Sequence, residues 1–291
     1  MKPSKFNYFA PTNVAEALDL LRDHGPDVKI LAGGQSLVPV LNFRLNRPAA
    51  IVDLNRITEL SYIRDEESHI AIGALTRQRR IENSDVVARR SPLLVEATKF
   101  IGHLPIRSRA TIGGSLANAD PAAEDPAVAT ALDSTMVLQS HRGERRVEAG
   151  DFFLGMLETA VGEDELLTGV EVPAMPPGSG WSFQEISRRH GDFALAGVAA
   201  QITLDGDRVT DARLAACGVG PGPIRLVGTE EIIEKQGISK QAIDQAAGMA
   251  ASEVAPESDL HATADYRRKL LGVMTGRAVT QAVGRARAGW P

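Results

Sequence analysis

The chain has 291 residues, a formal net charge of −5 and 43% hydrophobic residues, with aromatics at only 4%. That length suits about two domains, with cores drawn from Leu, Val, Ile and Ala. The mixed charge argues against non-specific nucleic-acid binding, which needs a basic surface, and no apolar run approaches the ~20 residues of a membrane span.

In chain order, Met1-Lys2-Pro3-Ser4 lacks the apolar stretch of a signal peptide, so a cytoplasmic protein is expected. Asn13 followed by Glu16 resembles a capping box and predicts a helix over 14–24, stopped by Gly25. Val28-Lys29-Ile30-Leu31 reads as a buried strand and 49–54 as another, so residues 1–55 form a small α/β lobe. Residues 57–175 are a different mixture. A hairpin is expected over 61–64 and 69–73, a helix capped by Thr76 through Ile81, and helical structure over 84–101. A basic loop over 103–110 carries Arg107 and Arg109, placed either to reach a phosphate or a partner or as ordinary exposed arginines. A helix near 122–132 and strands at 135–140 and 165–172 follow, with Phe152 and Phe153 packed between them. Pro173 to Gly180 is rich in proline and glycine and reads as a linker. Beyond it, 197–204 and 208–218 predict a hairpin, and helices are expected at 228–236, 239–253 and 263–288.

The single cysteine, Cys217, excludes an intrachain disulfide, a zinc–cysteine cluster and an iron–sulfur cluster held by this chain alone. Its neighbours Ala215, Ala216 and Gly218 make it a buried small residue. The six histidines show no metal-type spacing, and no H-E-x-x-H or G-x-S-x-G motif occurs.

Two glycine stretches carry the functional signal. Ala32-Gly33-Gly34-Gln35-Ser36-Leu37 follows the first strand, and Thr111-Ile112-Gly113-Gly114-Ser115-Leu116 echoes it. Successive backbone N–H groups around such glycines can form an anion-binding nest. Two nests can hold the two phosphates of one dinucleotide, with hydroxyls from Ser36, Thr111 and Ser115 adding donors. Either pair alone reads first as a plain turn, and it is the two together, each with adjacent hydroxyls, that point to binding. Neither fits the Rossmann or P-loop pattern, and neither contains lysine.

The segments AGGQSLVPVLNFRL (32–45), IRSRATIGGSLANADPAAE (106–124) and SRRHGDFALAGVAA (187–200) together resemble the FAD-binding medium subunit of molybdenum hydroxylases. The resemblance implies an α+β chain. A two-lobed FAD-binding domain of the PCMH (vanillyl-alcohol oxidase-like) type spans 1–176, with lobes of about 1–55 and 57–175. A smaller α+β domain with an antiparallel sheet and helices spans 177–291. It further implies that Ile30, Leu31, Ala32, Gly33, Gly34, Gln35, Ser36 and Leu37, with Thr111, Gly113, Gly114 and Ser115, cradle the pyrophosphate of non-covalent FAD. Glu124 is matched to an acid that bonds the sugar, Leu167 to an apolar residue near the rings, and Asn118 and Asp120 to further flavin or sugar contacts. Arg188, Arg189, Gly191, Asp192 and Phe193 match the segment that approaches the flavin, where one arginine of the two can face the ring. Ser115, Gln184 and Ile101 stand where xanthine-type enzymes have asparagine, lysine and an aromatic, which fits the bacterial three-subunit branch.

The implied function is electron transfer. A large molybdopterin chain oxidises the substrate, a small chain holds two [2Fe-2S] clusters, and FAD here passes electrons to an external acceptor. A dimer of heterotrimers is the expected assembly, and no catalytic acid or base and no metal ligand is expected in this chain. Two alternatives stay open: a stand-alone FAD-dependent oxidase or dehydrogenase of the same domain type, and a non-enzymatic assembly subunit.

Overall fold

The computed structural model describes residues 2–289. Strands β1 (Asn7–Phe9), β2 (Val28–Leu31) and β3 (Ala50–Asp53) form a three-stranded parallel sheet in the order β1-β3-β2. Parallel neighbours need crossovers, and helices α1 (Val14–His24) and α2 (Leu37–Asn42) lie in them. Asn13 Oδ1 accepts from the N–H of Glu16 at 2.9 Å and opens α1 as expected. The Glu16 carboxylate turns back to the N–H of Thr12 at 2.7 Å rather than to Asn13, so the box closes one residue early. Ala17, Leu18 and Leu21 bury one face of α1 against Val28, Ala50 and Val52.

The next stretch is built on an antiparallel sheet in the order β4-β5-β10-β6-β7. Its strands are β4 (Ile63–Asp65), β5 (His69–Gly73), β6 (Thr135–Ser140), β7 (Gly143–Glu148) and β10 (Leu166–Pro173). Helices α3 (Gln78–Glu82), α4 (Asp85–Arg90), α5 (Pro92–Thr98), α6 (Leu104–Arg107), α7 (Ile112–Asn118) and α8 (Glu124–Ala131) fill the chain between β5 and β6. After β7 come α9 (Ala149–Phe152) and a hairpin of β8 (Phe153–Gly155) and β9 (Glu158–Thr159). Phe152 is fully buried in one core with Met136 and Leu138 of β6 and Leu167 and Val170 of β10, as expected, and the partly buried Phe153 meets it edge-on.

Four local expectations are corrected here. Thr76 does not cap α3; its hydroxyl donates to the Tyr62 carbonyl at 2.8 Å, and Arg77 precedes the helix. The helical stretch 84–101 is two helices, because Pro92 has no N–H to continue α4 and opens α5 instead. The loop 103–110 contains the short helix α6, and the second glycine stretch is the helix α7. The charged strand β7 sits at the sheet edge, where polar residues keep unpaired backbone from other chains.

The last part of the chain forms a four-stranded antiparallel sheet of β11 (Ser179–Ser187), β12 (Ala194–Asp205), β13 (Arg208–Cys217) and β14 (Ile224–Arg225). Helices α10 (Val227–Gln236), α11 (Lys240–Ser252) and α12 (Ala264–Ala288) pack on one face, matching the three helices expected. Alternation along the strands splits their side chains by face. Ala196, Val198, Ala200 and Ile202 meet the helices, whereas Phe183, Ala199, Ala215 and Cys217 join the core of the preceding sheet and helices. Both faces of β12 are therefore covered, which explains its near-continuous apolar sequence. The expected linker narrows to residues 174–178, since Pro173 ends β10 and Ser179 begins β11.

One carboxylate ties the parts together. Glu96 on α5 accepts from Trp181 Nε1 and from the Phe183 N–H, each at 3.0 Å, and from the Arg285 guanidinium on α12. Arg285 also lies over the Trp181 ring, 4.8 Å from its centroid. Among the described residues no helix is long and apolar enough to cross a membrane.

Candidate cofactor site

The two glycine stretches, far apart in sequence, meet in space. A Cβ at Gly33 would lie 2.5 Å from the Arg109 carbonyl oxygen and 2.6 Å from the Ala110 Cα, so Gly33 permits one backbone to rest on the other. Gly114 faces Ala32, whose Cβ would be 3.6 Å from a Cβ at that position. Gly34 differs: its φ is +73°, the left-handed region that favours glycine. Among the described residues, the N–H groups of Gly33, Gly34, Gln35 and Ser36 have no hydrogen-bond acceptor in the chain. Four consecutive unpaired donors around a left-handed glycine are the donor set of an anion nest.

The second stretch is built otherwise. Thr111 Oγ1 caps α7 by accepting from the Gly114 N–H at 3.1 Å. The Ile112 N–H donates to the Thr76 carbonyl at 3.1 Å, Gly113 to Ala74 at 2.9 Å, and Ser115 to Thr111 at 3.0 Å. Its donors are spent inside the fold, so the expected pair of nests reduces to one. Gly113 is there for packing, because a Cβ would lie 2.4 Å from the Ala74 Cβ.

Beyond α7 the chain passes through Ala119 in the left-handed region (φ +47°) and reaches a group of acids. Asp120 Oδ1 accepts from the Ala122 N–H at 2.9 Å. Glu124, at the start of α8, is 7% exposed, and no other residue among those described donates to its carboxylate. Burial pushes its pKa well above the usual carboxylate range, and the negative charges of Glu185, Asp125 and Asp120 push the same way. Asp125 is held by Gln78 Nε2 at 2.8 Å and still rises to about 6 because it is buried. Glu185 on β11 rises to about 8 through burial, and its Oε2 has no hydrogen-bond partner. A Cβ at Gly197 would touch both Cys217 Sγ and Glu185 Cγ, which puts the acid beside the fully buried thiol.

The sequence-predicted residues fall into groups. Gly33, Gly34, Gln35, Ser36, Thr111 and Gly114 come together around the turn. Ser115 instead turns its hydroxyl towards Asp125, and Asn118, Asp120 and Glu124 follow along the end of α7 and the start of α8. Ile30, Leu31, Ala32 and Leu37 flank the turn as strand end and helix start. Leu167 is a buried strand residue of the core. Ile101 precedes Gly102 and His103, which meet Gly191 of the 188–193 turn at 2.6–2.9 Å from a Cβ placed there. Arg188 and Arg189 lie in that turn and not on a strand, since β11 ends at Ser187. Arg188 pairs with His261 Nδ1 at 3.1 Å, while Asp192 and Phe193 are exposed, Phe193 by 70%.

Two expectations are displaced. Gln184 donates to Ser182 Oγ at 3.1 Å and Gln281 Oε1 at 2.7 Å, on the helix side of β11, where it lines a groove of about 920 Å³ between α11 and α12. The strand alternates, so its neighbour Glu185 is the residue that faces the acids. Arg107 is not free for a ligand either: it bonds Glu82 at 3.1 Å and the carbonyls of Ile101 and Gly102.

Sequence reading also passed over Tyr8, Asp53, Asn55 and Arg77, which bond to one another beside the first turn. Asp53 and Asn55 follow β3 directly, and the turn follows β2. Ligands of open parallel sheets bind at the carboxyl ends of strands, and that rule could have found them. Unpaired N–H donors suit a pyrophosphate, and a carboxylate to which no other residue donates suits paired sugar hydroxyls, so the groups present fit a dinucleotide.

Comparison with known proteins agrees. A family model described as the FAD binding domain in molybdopterin dehydrogenase matches residues 4–175, and one described as the CO dehydrogenase flavoprotein C-terminal domain matches 181–282. The 6-hydroxypseudooxynicotine dehydrogenase complex subunit alpha of Paenarthrobacter nicotinovorans is 43% identical, over 99% of this chain and 97% of its own. The carbon monoxide dehydrogenase medium chain of Hydrogenophaga pseudoflava is 38% identical, over 98% of this chain and 99% of its own. The solved structure of that enzyme, in a form lacking the Mo-pyranopterin moiety of the molybdenum cofactor, superposes with a TM-score of 0.96 over 98% of this chain and 99% of the matched one. Quinoline 2-oxidoreductase from Pseudomonas putida 86 gives 0.94 at 35% identity, over 98% and 99%. The chain therefore belongs to the FAD-binding flavoprotein subunits of molybdenum-containing dehydrogenases.

Proposed function

We propose that this chain is the electron-exit subunit of a cytoplasmic three-component molybdenum hydroxylase, with a large molybdopterin chain and a small [2Fe-2S] chain as partners in a dimer of heterotrimers. The observation that carries the reading is the run of unpaired N–H groups at Gly33–Ser36 together with the buried Glu124, to whose carboxylate no other described residue donates, in a chain whose relatives are named as medium chains and complex subunits. The division at 176/177 belongs to the same reading and is supported by family matches that end at 175 and resume at 181.

FAD, when bound, supplies the redox chemistry. The four N–H dipoles would orient the pyrophosphate and stabilise its charge without a lysine. Glu124 accepts from sugar hydroxyls, which compensates the cost of ionising a buried carboxyl. Residues 101–103 and 188–193 face each other and enclose the ring end, with Arg189 the arginine left without a side-chain partner among the described residues. The substrate pocket lies in another chain. Relatives 35–43% identical are named for 6-hydroxypseudooxynicotine, caffeine, carbon monoxide, glyceraldehyde and nicotine, as a shared electron-exit part requires.

The cofactor test is direct. Acid precipitation of the purified protein releases FAD to the supernatant, as expected of a cofactor held by hydrogen bonds at the first glycine turn, with the single cysteine, Cys217, buried. Yellow colour that stays with the pellet contradicts non-covalent binding.

A further inference from the structure

Two backbone carbonyls beside the first glycine turn are held by side chains. Asn55 Nδ2 donates to the Ala32 carbonyl at 2.9 Å and to Asp53 Oδ1 at 2.6 Å. Arg77 donates through one guanidinium nitrogen to Asn55 Oδ1 and through the other to the Arg109 carbonyl. Tyr8 donates to the second Asp53 oxygen at 2.6 Å. Every polar atom of the Asn55 side chain is thus committed. Its orientation is set as well, because a flipped amide would turn oxygen towards two acceptors and NH₂ towards the guanidinium.

The consequence lies on the other side of the peptide. The chain has no cis peptide bond among its described residues. In a trans peptide the N–H points opposite to the C=O. A carbonyl of Ala32 fixed by Asn55 therefore aims the Gly33 N–H away from Asn55. The Gly33 carbonyl is fixed in the same manner by Gln35 Nε2 at 3.0 Å, which aims the Gly34 N–H. Arg77 adds the second anchor. It holds the Arg109 carbonyl, the atom on which Gly33 rests. The first two of the four unpaired donors, those of Gly33 and Gly34, are thus held in place by contacts behind them.

We propose that Asn55 and Arg77 are positioning residues that pre-set the N–H groups of the first glycine turn for a pyrophosphate. The inference rests on the reading of that turn as the FAD pyrophosphate site. Pre-orientation matters because a floppy turn would have to be ordered by the ligand, at a cost in affinity. Neither residue need touch the cofactor.

The test uses the full chain freed of flavin and titrated with FAD, read by flavin fluorescence and by amide hydrogen exchange. Wild type binds FAD, and exchange over residues 33–36 slows. Asn55→Ala weakens binding about three- to tenfold, the size of one or two net hydrogen bonds, with the flavin-free melting temperature unchanged. At saturating FAD its protection over 33–36 is smaller than in wild type. Asn55→Asp is nearly isosteric but sets an acceptor against the Ala32 carbonyl, so it weakens binding at least as much as alanine. Arg77→Lys keeps a donor and a charge and loses less than Arg77→Met. Failure of wild type to bind FAD overturns the functional reading itself. Binding without protection at 33–36, an Asn55→Ala affinity within twofold of wild type, or Asn55→Asp binding better than alanine overturns the positioning role alone. So does faster exchange throughout the variant, which marks Asn55 as merely structural.

Discussion

Glu124 carries the proposed sugar contact, and Glu185 is its neighbour across the site. Glu124→Ala weakens FAD binding by about 1–3 kcal/mol, the range for hydrogen bonds to a charged group. Glu124→Gln keeps one acceptor and loses less. An equilibrium titration of flavin-free protein checks this, and equal affinities for all three forms remove Glu124 from the site. Glu185 supplies a pH test. Its folded pKa of about 8 lies above the ordinary 4.5, so the folded state holds a proton that the unfolded state has released. The stability it contributes is complete below the unfolded value and is lost as pH rises through the folded one. Glu124 and Asp120 face it from the start of α8 and the loop before it, and the Cys217 thiol from β13. The melting temperature of flavin-free Glu185→Gln, minus that of wild type, therefore rises between about pH 5 and pH 9; a flat difference contradicts the burial of this acid. At this scale the motif drew attention to Glu124, which is buried among acids, but in the later segment to Gln184 rather than to Glu185, which faces those acids. The phase of a strand decides which of two neighbours faces a site, and a strand covered on both faces shows no polar alternation from which to read that phase. Asn55 and Arg77 were illegible because their partners are backbone carbonyls distant in sequence, which leave no mark on residue type.

Glu96 shows how elements are joined. It collects donors from β11 and α12 onto α5, and its carboxylate is mostly covered. Removing it takes away the acceptor shared by the Phe183 N–H, the Trp181 ring nitrogen and the Arg285 guanidinium, which keeps its bond to the Trp181 carbonyl at 2.7 Å. Glu96→Ala is expected to lower unfolding free energy by about 2–3 kcal/mol, measured by urea denaturation of the full chain. A loss below about 1 kcal/mol would make the contact an ordinary surface ion pair. Elements with local signals were legible: α1 from its cap, β12 and β13 from the Asp205-Gly206-Asp207 turn, and α10 to α12 from their length and apolar spacing. α7 was not, since two glycines in its first three residues oppose a helix. Tertiary bonds decide there, with Thr76 and Ala74 accepting the N–H groups of Ile112 and Gly113 and the Thr111 cap taking that of Gly114. β7 was missed because an edge strand of Glu and Arg lacks the apolar alternation that reveals strands.

At the scale of the whole molecule, the relatives named above match this chain over nearly their full length, and the two family models cover its first and later parts in order. The resemblance read from three motifs extends across the chain, and the two parts share one continuous core, formed where the face of β11–β13 packs on the helices around α8. A chain with one cysteine cannot ligate an iron–sulfur cluster alone, so in the proposed complex its electrons come from a partner. The most direct measurement is anaerobic flavin absorption of the FAD-loaded chain, mixed with candidate substrates first alone and then with the co-expressed partner chains, with dithionite as the control. The account predicts bleaching by dithionite in both cases and by a specific substrate only when the partners are present. Bleaching of the chain alone by an organic substrate would contradict it and would identify a stand-alone flavin dehydrogenase instead.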